Sequence, residues 1–134
     1  MPVDIRTQAW IKTDEGLRLE TYVDTNGHVT VGYGRNLENG ITLDEAELLF
    51  QNDLKRTEDE LEQHDWYNNA PQNVKNALIN MNFNLGITKL LEFKDMIGAL
   101  ESKSYRAAAQ AALNSLWAKQ LPKRSKEIAV MMGG

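Results

Sequence analysis

The spacing of apolar positions changes its period along the chain, and each change marks a different kind of element. From Asp4 to Glu15 the apolar residues Ile5, Ala9, Trp10 and Ile11 recur at helical spacing. Gly16 follows at once, and glycine just past a periodic stretch is a helix stop signal. Between Leu17 and Leu37 the texture turns to Thr, Val and Tyr, in LETYVDTNGHVTVGYGRNL. Its Thr25-Asn26-Gly27-His28 centre supplies the asparagine–glycine pair of a tight hairpin turn. Strands are expected near Leu19–Val23 and Val29–Tyr33, with Gly32 and Gly34 allowing a close backbone approach or a bulge.

After Gly40 the pattern is helical to the end. Thr42 with Glu45 three residues later forms a capping box before DEAELLFQNDLKRTEDELEQH. Leu43, Ala46, Leu49, Phe50, Leu54 and Leu61 give that helix its apolar stripe. A break at Asn68-Asn69-Ala70-Pro71 precedes QNVKNALINMNFNLG, where Val74, Ala77, Leu78, Met81 and Leu85 mark a central buried helix ending at Gly86. Further helices are expected over about Lys89–Leu100, Ser104–Leu116 and Lys123–Met132, with breaks at Gly98, Ser102 and Pro122. The predicted class is α+β and mostly helical: one helix, a small antiparallel hairpin over roughly 17–40, then a helical bundle, all within one domain over 1–134. So small a hairpin must pack on helices, and the junction of a hairpin lobe with a helical lobe makes a cleft where ligands bind.

Composition narrows the chemistry. None of the 134 residues is cysteine, which excludes a disulfide scaffold, a zinc finger and thiol catalysis. Two histidines, His28 and His64, leave little for a metal site, and no metal or cofactor is expected. The net charge of −4 argues against general nucleic-acid binding. Its distribution is uneven. Residues 1–101 hold 9 basic and 18 acidic groups, net −9, whereas 102–134 hold 6 basic groups and one acidic, net +5. A solvated basic helix face explains this; so does a surface that holds an anionic polymer. The charged opening stretch fits no signal peptide, and no run approaches the ~20 apolar residues of a membrane span. The expectation is synthesis in a cytoplasm without a membrane anchor.

Glu15 sits at the end of the first helix, where the helix dipole presents partial negative charge. The misfit favours its protonated form, which a general acid at neutral pH requires. An exposed glutamate at a frayed helix end is the structural alternative. Asp24, nine residues on, enters the hairpin turn, where aspartate commonly bonds the backbone two residues ahead. Two carboxylates are also the minimum equipment for glycoside hydrolysis, one protonating the leaving oxygen and the other staying charged. Thr30, a good strand former, would place a hydroxyl beside them. Asp14 and Glu20 lie close by, so spacing alone does not choose the pair.

The stretch DEGLRLETYVDTNGHVTVGYGRNL resembles the active-site region of phage lysozymes of the bacteriophage T4 type, glycoside hydrolase family 24. The matching motifs are Glu15-Gly16, Tyr22-Val23-Asp24-Thr25-Asn26-Gly27 and Thr30-Val31-Gly32-Tyr33-Gly34. The resemblance continues in order through GITLDEAELLFQNDL, ALINMNFNLG and LWAKQLPKRSKEI, covering most of the chain. It implies a lysozyme-like fold and a muramidase that cuts the β-1,4 bond between N-acetylmuramic acid and N-acetylglucosamine. Glu15 would be the general acid, with Asp24 and Thr30 positioning the attacking water of an inverting mechanism. Tyr33, Gly34, Arg35, Phe83, Asn84, Gln120 and Arg124 would contact substrate.

The sequence also departs from the T4-type pattern. Arg35 replaces a histidine, so a histidine–carboxylate pair there is lost. The segment from Leu37 to Gly40 is much shorter, which implies a reduced small lobe and a more open cleft. Met96 and Ala111 stand where side chains that hydrogen-bond substrate are found, and the chain ends at Met131-Met132-Gly133-Gly134 without a longer tail. A wall-binding or virion structural module with a decayed site, or a chitin-directed glycosidase, are the competing readings; intact Glu15, Asp24 and Thr30 count against decay. The implied partner is the glycan strand of peptidoglycan, acted on by a monomer that a separate pore-forming protein releases from the host cytoplasm.

Overall fold

The structure, a computed structural model, describes residues 3–133. It divides into two compact units, Met1–Glu47 and Leu48–Gly134, and the small β lobe expected at 17–40 lies in the first.

In the first unit, helix α1 spans Ile5–Glu15. Asp4 caps its start by accepting the Arg6 amide, and the chain leaves it at Gly16 with φ of 72°. Its apolar residues Ile5, Trp10 and Ile11 are exposed, and α1 buries none of its side chains. The sheet has three strands in the order β1-β2-β3, with β1 at Arg18–Val23, β2 at Val29–Gly32 and β3 at Arg35–Asn36. Both pairings are antiparallel; Tyr22 faces Thr30, Val23 faces Val29, and Val31 faces Arg35. Two strand expectations are corrected. The β1–β2 connection is a five-residue loop instead of a tight turn, because the Asp24 carboxylate captures the amides of Asn26 and His28. The second strand stops at Gly32, and the chain returns at once as β3, which is too short to carry a period-2 signature.

Helix α2, Leu43–Leu61, begins in the first unit and continues in the second. Its capping box forms as expected: the Thr42 amide donates to Glu45 Oε1 at 2.8 Å, and the Glu45 amide donates to Thr42 Oγ1 at 3.2 Å. The expected stripe is buried only at its end. Leu43, Leu49 and Phe50 are exposed, whereas Thr57 and Leu61 are buried.

The second unit is helical, with α3 at Asp65–Asn68, α4 at Gln72–Leu85, α5 at Ile87–Leu90, α6 at Lys94–Glu101, α7 at Tyr105–Leu113, α8 at Leu116–Gln120 and α9 at Pro122–Met132. Helix α4 is the centre: Val74, Ala77, Leu78 and Met81 are buried at the i, i+3, i+4, i+7 spacing of one helix face. Helix α9 packs on both α4 and α7, bringing Ile128, Ala129 and Met132 to the core beside Ala108, Ala109 and Ala112. Full burial of each large side chain here contributes roughly 1.5–3 kcal/mol. Buried Asn82 on α4 donates to the Thr57 carbonyl at 3.2 Å and fastens the end of α2.

The helix expected over Lys89–Leu100 is two helices, α5 and α6, and the one expected over Ser104–Leu116 is α7 followed by α8. Gly98 lies inside α6 instead of breaking it, since Met96 and Leu100 on either side are buried and hold the helix closed. Glycine costs a helix about 1 kcal/mol, which such burial outweighs.

Candidate active site

The expected catalytic residues lie in the first unit, each delivered by a different device. Glu15 is the last residue of α1, which turns away at Gly16. Its carboxylate lies against Gly34: a β-carbon on residue 34 would sit 3.2 Å from Glu15 Cδ and closer still to Oε2. One helical turn earlier, Lys12 Nζ lies 5.3 Å from the centre of the Tyr33 ring. The last turn of α1 is thus laid along the Tyr33-Gly34 turn that joins β2 to β3.

Asp24 follows β1, and its Oδ1 accepts the Asn26 amide at 2.9 Å and the His28 amide at 2.8 Å. The first of these is the bond to the residue two ahead that its turn position predicts. These donors, His28 foremost, hold the Asp24 carboxyl below the ordinary carboxylate range. It therefore stays charged at neutral pH. Thr30 is in the central strand and is 2% exposed. Its hydroxyl donates to the His28 carbonyl at 2.8 Å, and the same carbonyl accepts the Asp24 amide at 2.9 Å. Asp24 and Thr30 are fastened to one residue, His28.

Arg35 has a structural partner. Its guanidinium makes a two-pronged pair with Glu45, through Nη1 to Oε2 and through Nη2 to Oε1 at 2.8 Å, tying β3 to the first turn of α2. The amide of Thr42, then its hydroxyl and the Arg35 charge, keep the Glu45 carboxyl low as well.

The remaining expected contacts lie in the second unit. Phe83 and Arg124 share a concavity of about 420 Å³ with Phe50, Leu54, Asn76, Ile79 and Asn80. The Phe50 and Phe83 rings are 5.6 Å apart, and Arg124 donates to Asn80 Oδ1 from Nε at 3.0 Å and Nη2 at 2.7 Å. Gln120 adjoins Arg124 in a neighbouring concavity of about 470 Å³. Asn84 is occupied otherwise, its Oδ1 accepting the Trp117 indole N–H at 2.8 Å. Met96 is in the core, and with half-buried Ala111 it lines a third hollow of about 770 Å³ that also reaches Gln120. Among the described residues no group of three or more His, Asp or Glu side chains is arranged to hold a metal ion.

Two features of this region have no sequence signal. His28 meets Asp24 and Thr30 through its backbone, which its side-chain type does not reveal. Glu38, whose Oε2 lies 2.9 Å from His28 Nδ1, stands ten residues away and carries no local signal.

The phage lysozyme family model matches residues 12–130. The chain is 32% identical over 149 aligned positions to "Probable T4-type lysozyme 1" of Dictyostelium discoideum, covering 88% of each chain. It is 30% identical to the endolysin of Salmonella phage P22, covering 91% of this chain and 92% of that one. It is also 26% identical to the pre-baseplate central spike protein Gp5 of Enterobacteria phage T4, matching 91% of this chain but only 26% of that protein. The chain belongs to the phage lysozyme family. It is a glycoside hydrolase, with the mostly helical α+β fold of a lysozyme.

Proposed function

We propose that the protein hydrolyses the β-1,4 bond between N-acetylmuramic acid and N-acetylglucosamine in peptidoglycan, with inversion, in the service of phage-driven lysis of the bacterial cell. Glu15 protonates the leaving glycosidic oxygen. Asp24 and Thr30 hold a water on the opposite face of the sugar. The observation that carries this reading is the shared fastening of Asp24 and Thr30 to His28. Both amides on Asp24 bond Oδ1, which leaves Oδ2 to hold water. The Thr30 proton is given to the His28 carbonyl, so the hydroxyl meets water with its lone pairs. Two acceptors, one of them charged, then draw on the protons of one water while its oxygen attacks. In the second unit, Phe83 offers a sugar an apolar face, with Gln120 and Arg124 as polar contacts beside it. The similarity to a phage endolysin supports the cell wall as the place of action.

The same reading gives the basic end a docking role on anionic wall polymers. Among the described residues, none of Lys103, Arg106, Lys119, Lys123 and Lys126 has a carboxylate partner. Arg106 on α7 and Lys126 on α9 flank one groove of about 360 Å³ between those helices. Lys103 keeps a φ of 58° after α6, at a position that favours glycine.

The test is Glu15→Gln, which keeps size and hydrogen bonding but carries no transferable proton. Activity on peptidoglycan should fall at least ~10²-fold with the fold intact. Turnover within a few-fold of the parent protein would remove Glu15 from the mechanism. Chitin oligomers, assayed beside peptidoglycan, should be cut poorly; faster cleavage of chitin would make the enzyme chitin-directed.

A further inference from the structure

We propose that His28 is a positioning residue for hydrolysis, its ring tethered to Glu38 so that its backbone holds Asp24 and Thr30 in one fixed relation. This deepens the proposed function and rests on Asp24 and Thr30 acting on water.

Three backbone bonds converge on His28. Its amide donates to Asp24 Oδ1 at 2.8 Å, and its carbonyl accepts both the Asp24 amide at 2.9 Å and the Thr30 hydroxyl at 2.8 Å. A tilt of this one residue would therefore displace the charged acceptor and the neutral acceptor together. The loop it closes has an exposed tip at Thr25, Asn26 and Gly27, so the loop's own bonds are all that resist such a tilt from that side. The ring supplies resistance from the other side. Nδ1 lies 2.9 Å from Glu38 Oε2, and Glu38 is itself anchored where the chain leaves β3. Its amide donates to Asn36 Oδ1 at 2.8 Å, and the neighbouring Leu37 amide donates to the Val29 carbonyl at 2.9 Å. The tether thus links the end of β3, through Glu38 and the His28 ring, to both water-holding groups.

Both tethered side chains are partly exposed, at 40% and 46%. Exposed pairs of this kind add little to stability. What the tether supplies is geometry, and a displacement of about 1 Å at a reacting centre can cost ~10²-fold in rate. The charged groups that meet His28 are Glu38 at its ring and Asp24 at its amide, so the ring pair and the catalytic carboxylate are joined through one residue.

The experiment compares His28→Ala, Glu38→Ala and His28→Asn, the last keeping a donor near the position of Nδ1. In each variant kcat and KM on peptidoglycan fragments are measured, and the Asp24 carboxyl is titrated by carbon-13 NMR in the resting protein. His28→Ala and Glu38→Ala should lose about tenfold or more in kcat with KM little changed. In Glu38→Ala, which keeps the imidazole, the Asp24 titration should move up toward the ordinary carboxylate range as its amide donors lose their alignment, and in His28→Ala the lost imidazole charge adds to that rise. His28→Asn should recover most of both. An unmoved Asp24 titration in folded His28→Ala and Glu38→Ala overturns the proposal whatever happens to turnover, and so does a moved titration with unchanged kcat. If His28→Ala does not fold, Glu38→Ala and His28→Asn decide by the same criteria. A fully active Asp24→Asn protein would instead defeat the water-holding role of Asp24, which separates the two failures.

Discussion

The carboxylate of Glu15 occupies the space that a side chain on Gly34 would need. The glycine therefore does more than turn the chain at φ of 74°; it lets the end of α1 bring a carboxyl group flat against the β2–β3 turn. The Glu-Gly motif and the Thr-x-Gly-x-Gly motif, which meet through Glu15 and Gly34 19 residues apart, are one packing unit. Gly34→Ala should lower activity about 10²-fold by pushing Glu15 aside, and lower stability by about 1–2 kcal/mol through the left-handed backbone. Gly40→Ala is the control, since Gly40 has a similar φ of 79° with open space around it. It should show the stability loss with little loss of activity. Equal activity losses in both would mean that the collision with Glu15 is irrelevant.

Asp24 sets an acid limit on stability. Its folded-state carboxyl is held below its ordinary range, so its contribution to stability is present above the unfolded-state value, about 3.9, and disappears as pH falls through the lower folded-state value. An Asp24→Asn protein should therefore melt below the parent protein at neutral pH. The gap should close on acidification, because a protonated carboxyl and an amide are similar acceptors for the Asn26 and His28 amides. Melting temperatures across pH 2–7 check this, and a gap that persists unchanged at the acid end would contradict it.

Charge predicts a salt optimum on whole walls. The acidic body is repelled by an anionic wall, while the basic end is attracted to it. Screening lengths fall from ~30 Å at 0.01 M to ~10 Å at 0.1 M, so rising salt first removes the long-range repulsion and then weakens the close contacts. Activity on intact walls should peak near or above 0.1 M. Replacing Lys119, Lys123 and Lys126 by Gln should reduce activity on walls far more than on short soluble fragments. Equal loss on both would indicate damage to the fold, and no loss on walls would end the docking role.

The sequence was most legible where the physics is local. The Thr42–Glu45 capping box, the stop at Gly16, the buried face of α4 and the Asp24 bond to Asn26 all depend on residues within a few positions of one another, and each is present. Features that depend on distant residues were not legible. Arg35 and Glu45 meet across ten positions, as do His28 and Glu38, and no periodicity marks either pair. Gly98 misled because burial of Met96 and Leu100 overrides local preference. The Asn26-Gly27 pair suggested a tight turn because the Asp24 carboxylate, which lengthens the loop, competes with the usual hairpin bonds. Glu15 and Asp24 could not be separated from Asp14 and Glu20 by spacing; the motifs around them made that choice.

The most direct test is the anomeric form of the first product. If Asp24 and Thr30 hold a water that attacks opposite the bond protonated by Glu15, cleavage of the β-1,4 linkage releases a new reducing end as the α-anomer. Proton NMR within the first minutes of reaction, before mutarotation equilibrates the sugar, reads the configuration. The α signal should appear first, with the β signal growing in later. A β-anomer appearing first would mean that the carboxylate forms a covalent bond to the sugar, and would contradict the water-holding role of Asp24 and Thr30.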